Sequence, residues 1–219
     1  MGTLRLLVAG SNDIARKGLC AIAREQSGWE IAAEACDGRE AVRITKQTKP
    51  DVAILDIDMP SLNGLDATRQ IAKGALQTKV LLLDPHDTDQ LAYQALEAGA
   101  SGYLLKSDTA NDLVSAVEAL RRGSSFFTPR VAREILNGYF EAQKSRGQAG
   151  HENARQLTGR QREVVQLLAE GHSSKKVGVA LNISPKTVET HRANIMQKID
   201  CHSVAELVRY AIRNHIIEA

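Results

Sequence analysis

Three carboxylates and one lysine stand at the ends of apolar runs: Asp56 and Asp58 in LDIDMP, Asp84 in LLLDPHD, and Lys106 in YLLKSD. The Asp-x-Asp spacing of Asp56 and Asp58 has the look of a phosphohydrolase nucleophile with its partner. So short a motif carries weight only in its structural context, and the rest of such a site is not evident. A second constellation lies towards the C-terminus. In SPKTVETHRANIMQKI, Lys186, Glu189, Thr190, Ala193 and Gln197 form one helical stripe, while Val188, Ile195 and Ile199 recur on the opposite side. A helix that buries the second stripe and presents the first fits the major groove of DNA, its N-terminal turns nearest the base edges.

These residues need elements to hold them. Leu4 to Ala9, Glu30 to Ala35, Val52 to Leu55, Val80 to Leu83 and Gly102 to Leu105 are short apolar runs. Helical patterns follow each: Asp13 to Gln26, Gly38 to Gln47, Gly64 to Ala72, Thr88 to Ala98 and Ala110 to Arg121. This alternation predicts an α/β doubly wound, five-stranded parallel sheet with helices on both faces. In such sheets functional groups collect at the carboxyl ends of the strands, which here are Gly10 and Ser11, Asp56, Asp84 and Lys106. Asp13 reads as the N-cap of the first helix, and His86 as a loop histidine.

The C-terminal segment is punctuated as four short helices. Thr158 caps a helix that runs to Glu170 and ends at Gly171; Ser173 or Ser174 caps Lys175 to Leu181, which stops at Asn182. Ser184 followed by Pro185 opens the third helix, where a proline at the first position costs no hydrogen bond. The fourth is expected over Ser203 to Asn214.

Composition agrees with two domains. Met1 to Ser125 carries 14 Lys and Arg against 17 Asp and Glu, whereas His151 to Ala219 carries 10 against 7 and five of the six histidines. The basic half is the expected nucleic-acid half. No long apolar run suits a membrane span and no signal peptide is evident, so a cytoplasmic protein is expected. Cys20, Cys36 and Cys201 are widely spaced and lack a CxxC pattern, and read as reduced. No enzyme activity and no cofactor are implied.

The LTGRQREVVQLLAEG and SPKTVETHRANIMQKI segments closely resemble the DNA-binding domain of NarL/FixJ-type (LuxR-type) response regulators. The resemblance implies base and nearby backbone contacts at Lys186, Thr187, Glu189, Thr190 and Ala193. It implies phosphate contacts at Thr158, Arg162, Lys175, Thr187, His191, Arg192 and Lys198, which fix register without reading sequence. It also implies a homodimer, with the outer part of the last helix as its contact, on half-sites about one helical turn apart in double-stranded DNA. Equally, the apolar stripe of that helix (Val204, Leu207, Val208, Ala211) could all belong to the core. The second helix departs from the family's Glu-Ile-Ala with Lys176, Val177 and Gly178. Gly178 lowers helix propensity by about 1 kcal/mol relative to Ala, either to admit a close approach of the recognition helix or as a tolerated loss.

PDVAILDIDMPSLNGLDA, EAGASGYLLKSD and IARKGL resemble the receiver domain of the same family, over about Leu4 to Arg122. The resemblance makes Asp56 the phosphoacceptor position, Lys106 the phosphate-binding lysine and Tyr103 the aromatic switch position. Phosphorylating a carboxylate needs Mg²⁺ to neutralise charge on the phosphoryl oxygens and a fixed cation opposite it. Two of the required parts are absent. Gly10 and Ser11 replace the acidic pair that holds the metal, so Mg²⁺ binding is expected to be weak at most. Asp84 replaces the Ser or Thr that bonds the phosphoryl group, and a carboxylate there would repel it. Asp84 is expected to join Asp56 in an ion pair with Lys106, or else to cap the turn near Pro85. Asp58 partly replaces the lost ligands only if the strand continues beyond Asp56, and Asp13 is another candidate if it does not cap the first helix.

Residues 1–125 thus read as an atypical receiver and 126–156 as a linker with a helix from Thr128 and Pro129 to about Gln143, then a flexible tether. Residues 157–219 form the helix-turn-helix domain. The expected function is a sequence-specific transcriptional regulator independent of ordinary aspartyl phosphorylation, its receiver serving dimerisation or sensing an unknown small ligand. The alternative is a conventional two-component regulator phosphorylated at Asp56 by a histidine kinase.

Overall fold

The computed structural model describes residues 2–74, 77–85, 89–146 and 157–218, which leaves His86 and most of the expected tether outside the described residues. The chain forms two compact units, Met1–Ala142 and Gln143–Ala219.

The first unit is a parallel sheet in the order β2-β1-β3-β4-β5-β6. Its strands are β1 (Leu4–Ala9), β2 (Trp29–Ala35), β3 (Val52–Asp56), β4 (Lys79–Asp84), β5 (Gly102–Leu105) and β6 (Phe126–Phe127). The helices are α1 (Asp13–Arg24), α2 (Gly38–Thr48), α3 (Gly64–Gly74), α4 (Asp89–Ala98), α5 (Ala110–Arg121) and α6 (Pro129–Arg146). The doubly wound architecture is as expected, with one strand more: Phe126 and Phe127 pair with Gly102 and Tyr103 at the edge of the sheet.

Alternation along the strands divides the core. Leu7, Ala9, Ala53, Leu55, Leu82, Tyr103 and Leu105 pack on the side of α2, α3 and α4, joined by Val131 of α6. Leu6, Val8, Val52, Ile54, Leu81, Leu83 and Leu104 pack on the side of α1 and α5. Successive side chains of a strand face opposite ways, and both faces are covered because a parallel sheet is buried on both. Helix starts are fixed by side chains. Asn12, not Asp13, caps α1 by accepting from the Ala15 N–H at 3.0 Å; Asp13 lies in the first turn, paired with Arg16 and Lys17. Asp37 caps α2, and Thr109 caps α5 in a capping box with Asp112.

The second unit holds α7 (Gly159–Ala169), α8 (Ser174–Leu181), α9 (Pro185–Lys198) and α10 (Val204–Arg213). Val164, Val165, Leu167, Val177, Leu181, Val188, Ile195, Leu207 and Ala211 form its core. Thr158, Ser173, Ser184 and Ser203 are the N-caps, each cap contributing about 1 kcal/mol. Asn182 ends α8 in the left-handed conformation, φ 53°. Arg160 ties α7 to the end of α8 through the Leu181 carbonyl, 2.6 Å away. The choice left open for Gly178 is decided by packing. Its carbonyl accepts from the Ile183 N–H at 2.9 Å, and a Cβ on it would lie 2.7 Å from the Ile183 carbonyl oxygen.

Candidate functional site

Asp56 is the last residue of β3 and is 5% exposed. Its parity with Val52 and Ile54 turns it to the α1–α5 side, as does that of Lys106 with Leu104. There Lys106 Nζ donates to Asp56 Oδ2 at 2.7 Å. The other oxygen, Oδ1, accepts from the Asp58 backbone N–H at 3.2 Å. A cavity of about 270 Å³ opens beside this pair, lined by Gly10, Arg16, Leu19, Leu104 and Thr109 among others.

Asp84 has the opposite parity. It shares the face of Leu82, which is in register with Tyr103, and its fully buried carboxylate accepts the Tyr103 hydroxyl. The expected ion pair of Asp84 with Lys106 is therefore corrected: Lys106 engages Asp56 on one side of the sheet end, and Tyr103 engages Asp84 on the other. The backbone of Asp84 still meets the lysine, its carbonyl accepting from the Lys106 N–H at 2.7 Å. Tyr103 itself is 1% exposed.

The metal that the receiver resemblance implies would need carboxylates at Gly10 and Ser11. Gly10 offers no side-chain ligand; a Cβ there would meet Asp56 Cβ at 3.4 Å, so the position faces Asp56 but brings no carboxylate to it. Ser11 turns its hydroxyl to the Asp58 carbonyl at 3.4 Å. β3 ends at Asp56, so the condition under which Asp58 would replace a ligand is not met. A cation occupies the neighbourhood instead: Arg16 Nη1 donates to the Gly10 carbonyl at 2.7 Å and its Nη2 to Asp13 at 2.6 Å. Among the described residues no group of three or more His, Cys, Asp or Glu side chains is placed to hold a metal ion. A hard cation that prefers carboxylate oxygens does not fit this set. Sequence reasoning missed Arg16, although its place one turn into the first helix was a usable signal.

Two carboxylates near these segments are held below their ordinary range. The Lys17 ammonium hydrogen-bonds Asp13, and the Thr109 side chain hydrogen-bonds Asp112.

The second unit presents the other candidate surface. Lys186, Thr187, Glu189, Thr190, Ala193 and Gln197 are all exposed on α9, opposite buried Val188 and Ile195. Ser184 accepts from the Thr187 N–H at 3.0 Å, and Pro185 stands at the first helical position. Thr190 donates its hydroxyl to the Lys186 carbonyl at 3.1 Å. Lys175 is exposed at the start of α8, while His191, Arg192 and Lys198 are half-buried. Thr158 and Arg162 have local tasks as well: Thr158 caps α7, and Arg162 Nη1 donates to the Leu157 carbonyl at 2.9 Å. Ser173 caps α8, which resolves the choice between the two serines, and Ser174 instead donates to Glu189. No pattern in the sequence announced that last contact.

Residues 6–118 match the response regulator receiver domain, and residues 155–211 match the bacterial regulatory proteins of the luxR family. The chain is 35% identical to the transcriptional regulatory protein LiaR of Bacillus subtilis, over 98% of this chain and 99% of that one. It is 32% identical to the oxygen regulatory protein NreC of Staphylococcus carnosus, over 98% and 100%. Among solved structures it is similar to the response regulator ChrA of a heme-sensing two-component system: 30% identity, 99% of this chain, 100% of that chain, TM-score 0.53. With relatives that are transcriptional regulators, the phosphohydrolase reading of Asp56 and Asp58 falls away. No helix among the described residues is long and apolar enough to cross a membrane. A receiver fold joined to an exposed recognition helix, matched along nearly its whole length, makes this chain a DNA-binding transcriptional regulator of the LuxR-type response-regulator family.

Proposed function

We propose that the chain regulates transcription from the cytoplasm as a homodimer on double-stranded DNA, and that its receiver holds one conformation without aspartyl phosphorylation. The observation that carries the second half is the division of the site into two pairs. Lys106 is taken by Asp56 at 2.7 Å, and Tyr103 is held by the buried Asp84. Neither Gly10 nor Ser11 adds a carboxylate that could hold Mg²⁺ against Asp56. A phosphoryl group arriving at Asp56 would lack compensating charge, and Asp84 gives it no hydroxyl donor. The receiver then serves dimerisation or responds to a small ligand.

On the DNA side, Lys186, Thr187, Glu189, Thr190 and Ala193 meet base edges and nearby backbone. Thr158, Arg162, Lys175, Thr187, His191, Arg192 and Lys198 hold phosphates. Their exposure or partial exposure on and beside α9 supports this division.

The test is intact mass after incubation with acetyl phosphate and Mg²⁺. The unmodified chain is expected to take up no phosphate, and Asp56→Asn to bind DNA as the parent does. The triple variant Gly10→Asp, Ser11→Asp, Asp84→Thr is expected to gain Mg²⁺-dependent uptake. The Asp56–Lys106 geometry favours one other reading, a conventional regulator served by a histidine kinase. Stoichiometric phosphorylation of the unmodified chain at Asp56 would establish that reading and end this one.

A further inference from the structure

Two adjacent serines open α8 and only one caps it. Ser173 accepts from the Lys176 N–H at 3.4 Å. Ser174, the first residue of the helix, turns its hydroxyl across to α9 and donates it to Oε1 of Glu189. The other carboxylate oxygen, Oε2, lies 4.0 Å from Arg192 Nη1, and the Glu189 side chain is 55% exposed. Glu189 is thus an anion on the outward stripe, tethered by a neighbour on a different helix.

We propose that Ser174 is a positioning residue that presents Glu189 to a cytosine in the major groove. The proposal rests on the DNA reading above. A carboxylate brought among phosphates is repelled unless a donor meets it, and the major-groove edge offers base donors only at cytosine N4 and adenine N6. Adenine sets its acceptor N7 beside N6, which repels a second carboxylate oxygen; cytosine has no acceptor next to N4. With Oε1 occupied by Ser174, Oε2 is the oxygen left to accept from N4. A glutamate side chain loses considerable rotamer freedom when it is fixed. The Ser174 bond fixes it before DNA arrives, so less is lost on binding. Thr187, two residues earlier on α9, is tied instead to the start of its own helix, its hydroxyl 2.8 Å from that of Ser184.

The experiment measures the affinity of the full-length chain for a panel of duplexes carrying each base at each half-site position, with the salt dependence alongside. The parent is expected to prefer cytosine at one position by about tenfold, the effect of one good base contact. Glu189→Gln should move that position towards adenine, which glutamine matches at N6 and N7. Ser174→Ala should narrow the cytosine preference to about threefold, the worth of a modest hydrogen bond, with other positions and the salt slope unchanged. Ser174→Thr, which keeps the hydroxyl, should restore it. A Ser174→Ala profile identical to the parent overturns the proposal. So does an equal loss at every position, which would make Ser174 a support of α8 alone. No sequence preference and no salt-dependent affinity in the parent itself would overturn the DNA reading and this proposal with it.

Discussion

Asp84 shows how much one step of parity decides. With 0% exposure at the end of β4 it must find hydrogen bonds within the protein, and its face of the sheet gives it Tyr103. Removing that hydroxyl by Tyr103→Phe takes one donor away from a buried acceptor, a cost of about 1 to 3 kcal/mol. Urea unfolding of the parent and the variant should differ by that amount, and a variant as stable as the parent would refute the role given to the bond. Asp56 and Lys106 were legible because each ends an apolar run, and they meet as expected. Asp84 was legible as a departure, but its partner was not. The pairing of Asp56 with Leu83 puts Asp84 on the face opposite Asp56, and the choice of Tyr103 depends on the pairing of Leu82 with Tyr103, neither of which alternation within one strand specifies. The same limit applies to Ser174 and Glu189, which lie 15 positions apart on helices whose crossing the sequence does not specify.

Elements were more legible than their partners. Periodicity located the five longer strands and the helices of the described residues, and the capping residues Thr158 and Ser184 marked the starts of two of them. The two-residue β6 escaped because Phe126 and Phe127 are too few to show an alternation. The position of α6 escaped too: its apolar stripe predicted a helix, but not that Val131 would be fully buried in the receiver core. α6 lies so close to α4 that a Cβ on Gly138 would stand 2.7 Å from Tyr93 Cβ. Ala in place of Gly ordinarily favours a helix by about 1 kcal/mol. Here the added methyl has no room, and Gly138→Ala should instead destabilise the first unit by about 1 to 3 kcal/mol, as overpacking does. Amide exchange should quicken along α6 and α4. A variant that gains stability would mean that the two helices do not meet this closely in solution.

Charge is distributed between the units as their tasks require. The acidic half carries the sheet, and the stretch from His151 to Ala219 has a net charge of +3, from 10 Lys and Arg against 7 Asp and Glu. An excess this small steers the domain to DNA only if its cations are gathered at the phosphates. Arg162, Lys175, Arg192 and Lys198 are the four charged residues assigned to that contact, so a dimer would bring eight. Each neutralised phosphate contributes about −0.9 to the slope of log affinity against log salt, for a total of roughly −7 in a dimer. Lys175, exposed at the start of α8, is the cleanest to remove. Lys175→Ala should make the slope shallower by about 1 for each bound copy and weaken all duplexes alike, because a phosphate contact carries no sequence information. Titration of the full chain at several salt concentrations reads both quantities. A slope near half the expected value would mean that one copy binds alone, and an unchanged slope in Lys175→Ala would remove that lysine from the contact surface.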